Sequence, residues 1–229
     1  MRLGTVGSGI VAQTIGLKLA ELGHEVMISS RNLDAPKDRG PQGTLPSVNQ
    51  WVQQQSERGL AVRGGSFAEA AQFGEVVFNC TFGVASVEAL TAAGKDNLSG
   101  KILVDIANPL DFSGGMPPTL AFCNTESLGE RIQAAFPEAK VVKALNTVNA
   151  SIMTNPSLVP GAHDLFVAGN DAEAKAWVKE KLLKEWFGWA SVIDLGDISS
   201  ARGIEMYLIL WLRLLMVVQR PNFNIKVAM

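Results

Sequence analysis

Apolar residues along the chain fall into short unbroken runs separated by stretches with helical spacing. Leu3 to Val6 is such a run, the pattern of a strand buried on both faces. In the segment Ile10 to Leu22, Val11, Ile15, Leu19 and Leu22 form one stripe. Ala12, Gly16 and Ala20 form a second stripe, small enough to let the helix approach a sheet closely. Gly23 stands where a helix terminus needs a left-handed residue, and Glu25 to Ser30 is the next strand. Residues 33–45, rich in Pro, Gly and Asp, read as an exposed loop.

The alternation continues. Pro46 to Arg58 is helical, with Val48, Trp51 and Val52 on one face, and Leu60 to Arg63 is a short strand. Ser66 is positioned to cap a helix over FAEAAQF. Strands over Val76 to Cys80, Ile102 to Ile106 and Lys140 to Leu145 alternate with helices over Ala85 to Ala93 and Leu128 to Phe136. This is the spacing of an α/β chain with a mainly parallel, doubly wound Rossmann sheet. A boundary is expected near residue 150, dividing a dinucleotide-binding domain, 1–150, from a small C-terminal α/β extension, 151–229. In that extension Leu165 to Ala168 and Ser191 to Leu195 read as strands. Asn170 caps, with Glu173 as a capping box, a helix running to about Trp186, and a final helix starts near Ser199.

Composition narrows the function. The chain has 229 residues, 47% hydrophobic and 18% charged, which is enough for one sizeable core. With 20 basic against 22 acidic residues it carries no footprint for nucleic acid. Cys80 and Cys123 are too few for a disulfide framework, so a reducing, cytoplasmic setting is the simpler reading; both are expected to be small core residues. Met206 to Val218 is apolar except for Arg213 but falls short of the roughly 20 residues of a membrane span. No His, Cys and Asp spacing suggests a metal site. Trp51, Trp186, Trp189 and Trp211 lie in or near apolar stretches and read as core.

Candidate chemistry begins at the first strand's end. Gly7-x-Gly9-x-x-Ala12 fits the G-x-G-x-x-G/A dinucleotide fingerprint in its proper context, after a strand and opening a helix. The first glycine permits the turn, the second lets backbone approach a pyrophosphate, and the small third residue packs helix on strand. A site for NAD places Asp or Glu at the end of the second strand. Here the chain reads Ile28-Ser29-Ser30-Arg31, where a hydroxyl and a guanidinium suit a 2′-phosphate, with Lys37 or Arg39 adding charge. NADP(H) is therefore favoured. Thr81-Phe82-Gly83, Ala107-Asn108-Pro109 and Leu145-Asn146-Thr147 end further strands at the same sheet edge. Asn108 and Asn146 offer amides to a nicotinamide, and Asn149 to a substrate; turn and capping roles are the alternative for each. No catalytic acid is evident. His24 lies at the opposite edge, His163 precedes a late strand, and Lys143, inside an apolar strand, is expected to snorkel.

With these residues in view, the chain resembles the NADPH-dependent coenzyme F-420 reductase family and is similar to the reductase domain of the STEAP metalloreductases. The resemblance is carried by GTVGSGIVAQTIGLKLAELGHEVMISSRN, ILVDIANP, VVKALNTVNA and DLGDISSARGIE. It implies a soluble NADP(H)-dependent oxidoreductase passing hydride to a flat acceptor, a deazaflavin such as coenzyme F-420 or a flavin. It also implies a C-terminal part that covers the nicotinamide face and forms a homodimer. Gly7 and Ser8 to Val11, including Gly9 and Ile10, would hold pyrophosphate, and Ser30 with Arg31 the 2′-phosphate. Gly83, Ala107, Ala144 and Asn146 would line the rest, with Tyr207 near the second ring. Two other readings stay open: a dehydrogenase of a small imine, ketone or hydroxy acid, which predicts a proton donor facing the nicotinamide, and a non-catalytic NADP(H)-sensing module.

Overall fold

The computed structural model describes residues 1–38 and 43–228. Arg39, a candidate for added charge, lies outside the described residues. One eight-stranded sheet carries the fold. Its strands are β1 (Arg2–Val6), β2 (Glu25–Ser29), β3 (Val62–Gly65) and β4 (Val76–Asn79). They are followed by β5 (Ile102–Asp105), β6 (Lys140–Ala144), β7 (Leu165–Gly169) and β8 (Val192–Asp194). Across the sheet the order is β8-β7-β6-β5-β4-β1-β2-β3. Neighbours are parallel throughout except β6 with β7. The order reverses between β1 and β4, which opens a crevice at the carboxyl ends of those strands.

Both faces of the sheet are covered, which is why its strands are unbroken apolar runs rather than alternating ones. Val76 and Phe78 pack into one core with Ile15, Leu19 and Trp51, while Val77 between them faces the other with Leu90, Leu98 and Ile132. The covering helices begin with α1 (Ile10–Glu21), α2 (Val48–Glu57), α3 (Phe67–Phe73) and α4 (Ser86–Ala93). Then come α5 (Lys95–Leu98), α6 (Leu128–Ala135), α7 (Ala150–Thr154), α8 (Ala172–Trp177) and α9 (Ala201–Val218). Ser66 caps α3 through a full capping box, as expected.

Residues near 150 enter α7 without leaving the sheet's flank, and β7 and β8 extend the same sheet. The tryptophans at 51, 186, 189 and 211 are buried. Other expectations are corrected. Asp171, not Asn170, caps α8, and Asn170 accepts from Ile198 N instead. The expected helix to Trp186 is α8 continued by a wider π-helical segment, Val178–Trp186. Leu22 is exposed because α1 ends before it. The loop after β2 contains a small hairpin, Lys37–Asp38 with Thr44–Leu45, and a second joins Leu110–Asp111 to Thr119–Leu120. Cys123, placed in the core by its apolar neighbour, is exposed. No helix among the described residues is long and apolar enough to cross a membrane.

Candidate functional site

A cavity of about 530 Å³ lies over the crevice between β1 and β4. Its base is the turn from Gly7 to Val11, where β1 passes into α1. Gly7 has φ +114, and a Cβ there would lie 2.6 Å from the Cys80 carbonyl oxygen, so only glycine lets the β1 and β4 ends approach this closely. Gly9 is different: its φ is −72 and nothing lies within 4 Å of where a Cβ would stand. That open space faces the start of α1, which has no acidic residue in its first turn and whose leading N–H groups lack helical partners. Behind the turn, the buried Gln13 amide donates to the Ser8 carbonyl at 3.2 Å and to the Pro46 carbonyl at 3.0 Å. Gln13 braces the loop; its place in an amphipathic helix gave no sign of this. Ala12 is fully buried, as the small third position requires.

One wall follows β2 through Ser29, Ser30, Arg31 and Asn32. The Ser29 hydroxyl donates to the Thr5 carbonyl, fixing the strand end and leaving Ser30 and Arg31 on the cavity. Arg31 is exposed and has no carboxylate partner among the described residues. The facing wall is Cys80, Thr81 and Phe82 after β4, with Ala85, Glu88 and Ala89 of the following helical turns; Phe67 of α3 and Ala92 of α4 also contribute. Burial, with Asp105 nearby, pushes the Cys80 thiol well above its usual range.

Of the expected residues, the cavity brings together Gly7, Ser8, Gly9, Ile10, Val11, Ser30, Arg31, Thr81 and Phe82. The others stand apart from it. Gly83 is pressed on the Asn108 backbone so tightly that a Cβ would collide with its carbonyl. Asn108 and Asn146 engage each other: Asn108 Nδ2 donates to the Asn146 carbonyl at 2.9 Å, and Asn146 Nδ2 to Asn108 Oδ1 at 2.9 Å. Asn146 Oδ1 is buried without a partner among the described residues. Ala107, Pro109 and Ala144 are buried beside that pair. Asn149 takes the capping role left open for it, accepting from Ser151 N at the start of α7. The backbone of Lys37 pairs with Leu45 in the hairpin after β2, and its side chain lies outside what is described. The buried hydroxyl of Tyr207, on α9, has no partner among the described residues, and burial pushes its pKa up to about 12.

Lys143 does not snorkel. It is fully buried, with Nζ 2.9 Å from Asp105 Oδ2 and 2.8 Å from Glu205 Oε1, and it also donates to the Ala107 carbonyl. Burial opposes its charge, but the two carboxylates outweigh this and hold the ammonium above its ordinary range. The partners lie 38 and 62 residues away in sequence, beyond any local pattern. The His24 ring lies tilted against Trp186 near the amino end of β2, and His163 is tied to Pro156 and Asn224. Neither lines the cavity.

The family model described as NADP oxidoreductase, coenzyme F-420-dependent, matches residues 2–109. A solved structure from Arthrobacter sp. FB24, of a protein presumed to be an F-420-dependent NADP reductase, is 51% identical over the whole of both chains with a TM-score of 0.90. The chain belongs to the coenzyme F-420-dependent NADP oxidoreductase family. The F-420-dependent NADP reductase of Methanocaldococcus jannaschii is 36% identical over 112 residues, 48% of this chain and 49% of that protein. The rat metalloreductase STEAP3 is 29% identical over 205 residues, 89% of this chain but 36% of the relative. The chain thus spans between about a third and a half of these curated relatives. The chain shares the Rossmann fold of that family, and Arg31 stands on the wall of its cavity.

Proposed function

We propose that the cavity binds NADP(H) and that the protein passes hydride between this cofactor and a flat acceptor, a deazaflavin such as coenzyme F-420 or a flavin. One observation carries the reading: the open face of Gly9 at the start of α1 and the pair Ser30–Arg31 line the same cavity, with no carboxylate at the end of β2. The leading N–H groups of α1 suit a diphosphate, and a Cβ on Gly9 would occupy the space it needs. Ser30 and Arg31 suit a 2′-phosphate, which an acidic residue there would repel. Thr81 and Phe82 continue the wall toward the loops after β5 and β6. Bound NADPH supplies the hydride; the chain's part is to bind, align and exclude water.

Proton chemistry supports a flat acceptor over an imine, ketone or hydroxy acid. The buried lysine nearest the crevice spends all three of its N–H bonds on Asp105, Glu205 and Ala107. It does not line the cavity. In this reading residues 151–229 shield the acceptor and pair two copies in the cytoplasm. Met206, Leu210, Met216 and Val217, exposed on α9, support such pairing. Following NADPH absorbance against deazaflavin, flavin, quinone and ferric acceptors tests the proposal. Turnover with a flat ring acceptor is expected. Tight NADPH binding without turnover on any acceptor would refute it in favour of a sensing module.

A further inference from the structure

We propose that Lys143 is a positioning residue, whose buried ammonium fixes the cofactor-facing loop after β4 relative to α9. This rests on reading the cavity as the NADP(H) site. The path is continuous. Thr81, on the cavity wall, donates from its hydroxyl to Asn79 Oδ1 at 2.7 Å and is joined to the Ser86 hydroxyl at 2.8 Å. Asn79 Nδ2 donates to Asp105 Oδ1 at 2.8 Å, and that same oxygen accepts from Ala107 N at 3.2 Å. Asp105 Oδ2 receives Lys143, which also reaches Glu205 on α9. Glu205 in turn accepts from Leu128 N at 2.8 Å and Gly129 N at 3.0 Å at the start of α6.

Asn79, Asp105 and Lys143 are fully buried and Glu205 is 2% exposed, so water offers none of them an alternative partner. Lysine has three N–H bonds and all three are used, on groups from β5, the loop after it and α9. A network satisfied this completely has one arrangement, and it ties Thr81 to an element that does not touch the cavity. A space-filling apolar residue would pack the same volume without fixing any of these groups.

The charges provide the signature. Lys143→Met leaves Asp105 and Glu205 facing each other across the vacated position. The other described groups facing the pair are the Cys80 thiol, the Asn79 amide and the Ala107 N–H at Asp105, and the two backbone N–H groups on Glu205. Repulsion between the carboxylates then spreads the loop and α9 at high pH, and a proton shared between them relieves it at lower pH. The experiment titrates wild-type protein, Lys143→Met and the double variant Lys143→Met/Glu205→Gln with NADPH between about pH 6 and 9, and reads the ratio of each variant's Kd to that of wild type. For Lys143→Met the ratio should be about tenfold at the alkaline end and shrink toward the acid end. In the double variant it should be smaller and independent of pH.

A ratio for Lys143→Met that is flat with pH, or equal to that of the double variant, overturns the proposal, since loss of packing alone would act alike at every pH. Should Lys143→Met not fold, Glu205→Gln serves instead. It keeps the lysine–aspartate pair and an oxygen for α6, and it should still weaken NADPH binding several-fold from outside the cavity. Wild-type affinity in Glu205→Gln contradicts the proposal. Failure of the wild-type protein itself to bind NADPH overturns the cofactor reading instead, so the two failures are distinct.

Discussion

Arg31→Ala removes the one cationic side chain among the described residues of the cavity wall, and its consequence for the two nicotinamide cofactors can be estimated in advance. The guanidinium is exposed and has no ion-pair partner among the described residues, so the fold should be little affected. Two unit charges about 4 Å apart attract by ~1 kcal/mol in water and ~4 kcal/mol at the effective dielectric of a protein surface. A 2′-phosphate carries nearly two negative charges, while salt and the cost of ordering an exposed arginine subtract from the gain. A hydrogen bond to a charged group contributes ~1.5–3 kcal/mol. Together these give about 2 kcal/mol, a loss of ~30-fold in NADPH affinity. NADH lacks the phosphate, so its affinity should change by less than about twofold. Fluorescence titration of both cofactors at low and moderate salt measures this, and the NADPH loss should shrink as salt rises. Equal losses for the two cofactors, or none for NADPH, would show that Arg31 does not contact the 2′-phosphate.

Gly9→Val should leave stability within ~0.5 kcal/mol, because the backbone is ordinary and the side chain enters open space, yet it should abolish NADPH binding. Calorimetry with titration separates the two effects. Gly7→Ala should do the reverse, costing ~1–3 kcal/mol through its positive φ and the close Cys80 carbonyl, read as a lower denaturation midpoint. Asp164 governs acid behaviour at the chain's end. Its burial opposes ionisation, but hydrogen bonds from Lys226, Ser191 and the Val227 backbone N–H prevail and hold its pKa at about 2, below the ordinary 3.8. A depressed carboxylate stabilises fully above 3.8 and loses its contribution as pH falls toward 2. That window should cost wild-type protein about 1–2 kcal/mol. Asp164→Asn should lack this dependence and show faster amide exchange at Val227; an unchanged acid midpoint would contradict this role for Asp164.

The sheet was legible because burial on both faces writes strands as unbroken apolar runs, and the glycine turn because its constraints are local. Gly7 is required by its positive φ and the close Cys80 carbonyl, and Gly9, two residues on, leaves open space at the start of α1. The features that escaped are those whose cause is remote. Lys143 between Val142 and Ala144 looks like a lone cation in an apolar strand until β5 and α9 deliver Asp105 and Glu205 to it. Asn108 and Asn146, each suited to a nicotinamide amide by position, face one another because β5 and β6 end in register. Asp171 outcompetes Asn170 as a cap because Asn170 is drawn to the residues before α9. The half of the cavity lined by Gly7 to Val11, Ser30 and Arg31 was thus readable from short-range pattern. The pairings among the strand-end loops beside it are encoded by no spacing.

The central claim is direct hydride transfer between NADPH held over the glycine turn and a flat ring. Single-turnover reaction of C4-deuterated NADPH with a deazaflavin, analysed by mass spectrometry, tests it most directly, since the carbon that accepts hydride in a deazaflavin does not exchange with water. The account predicts deuterium in the reduced deazaflavin from one of the two C4 positions and none in solvent. Oxidation of NADPH with the label released to water, or bound NADPH that keeps its label while the deazaflavin stays oxidised, would contradict it.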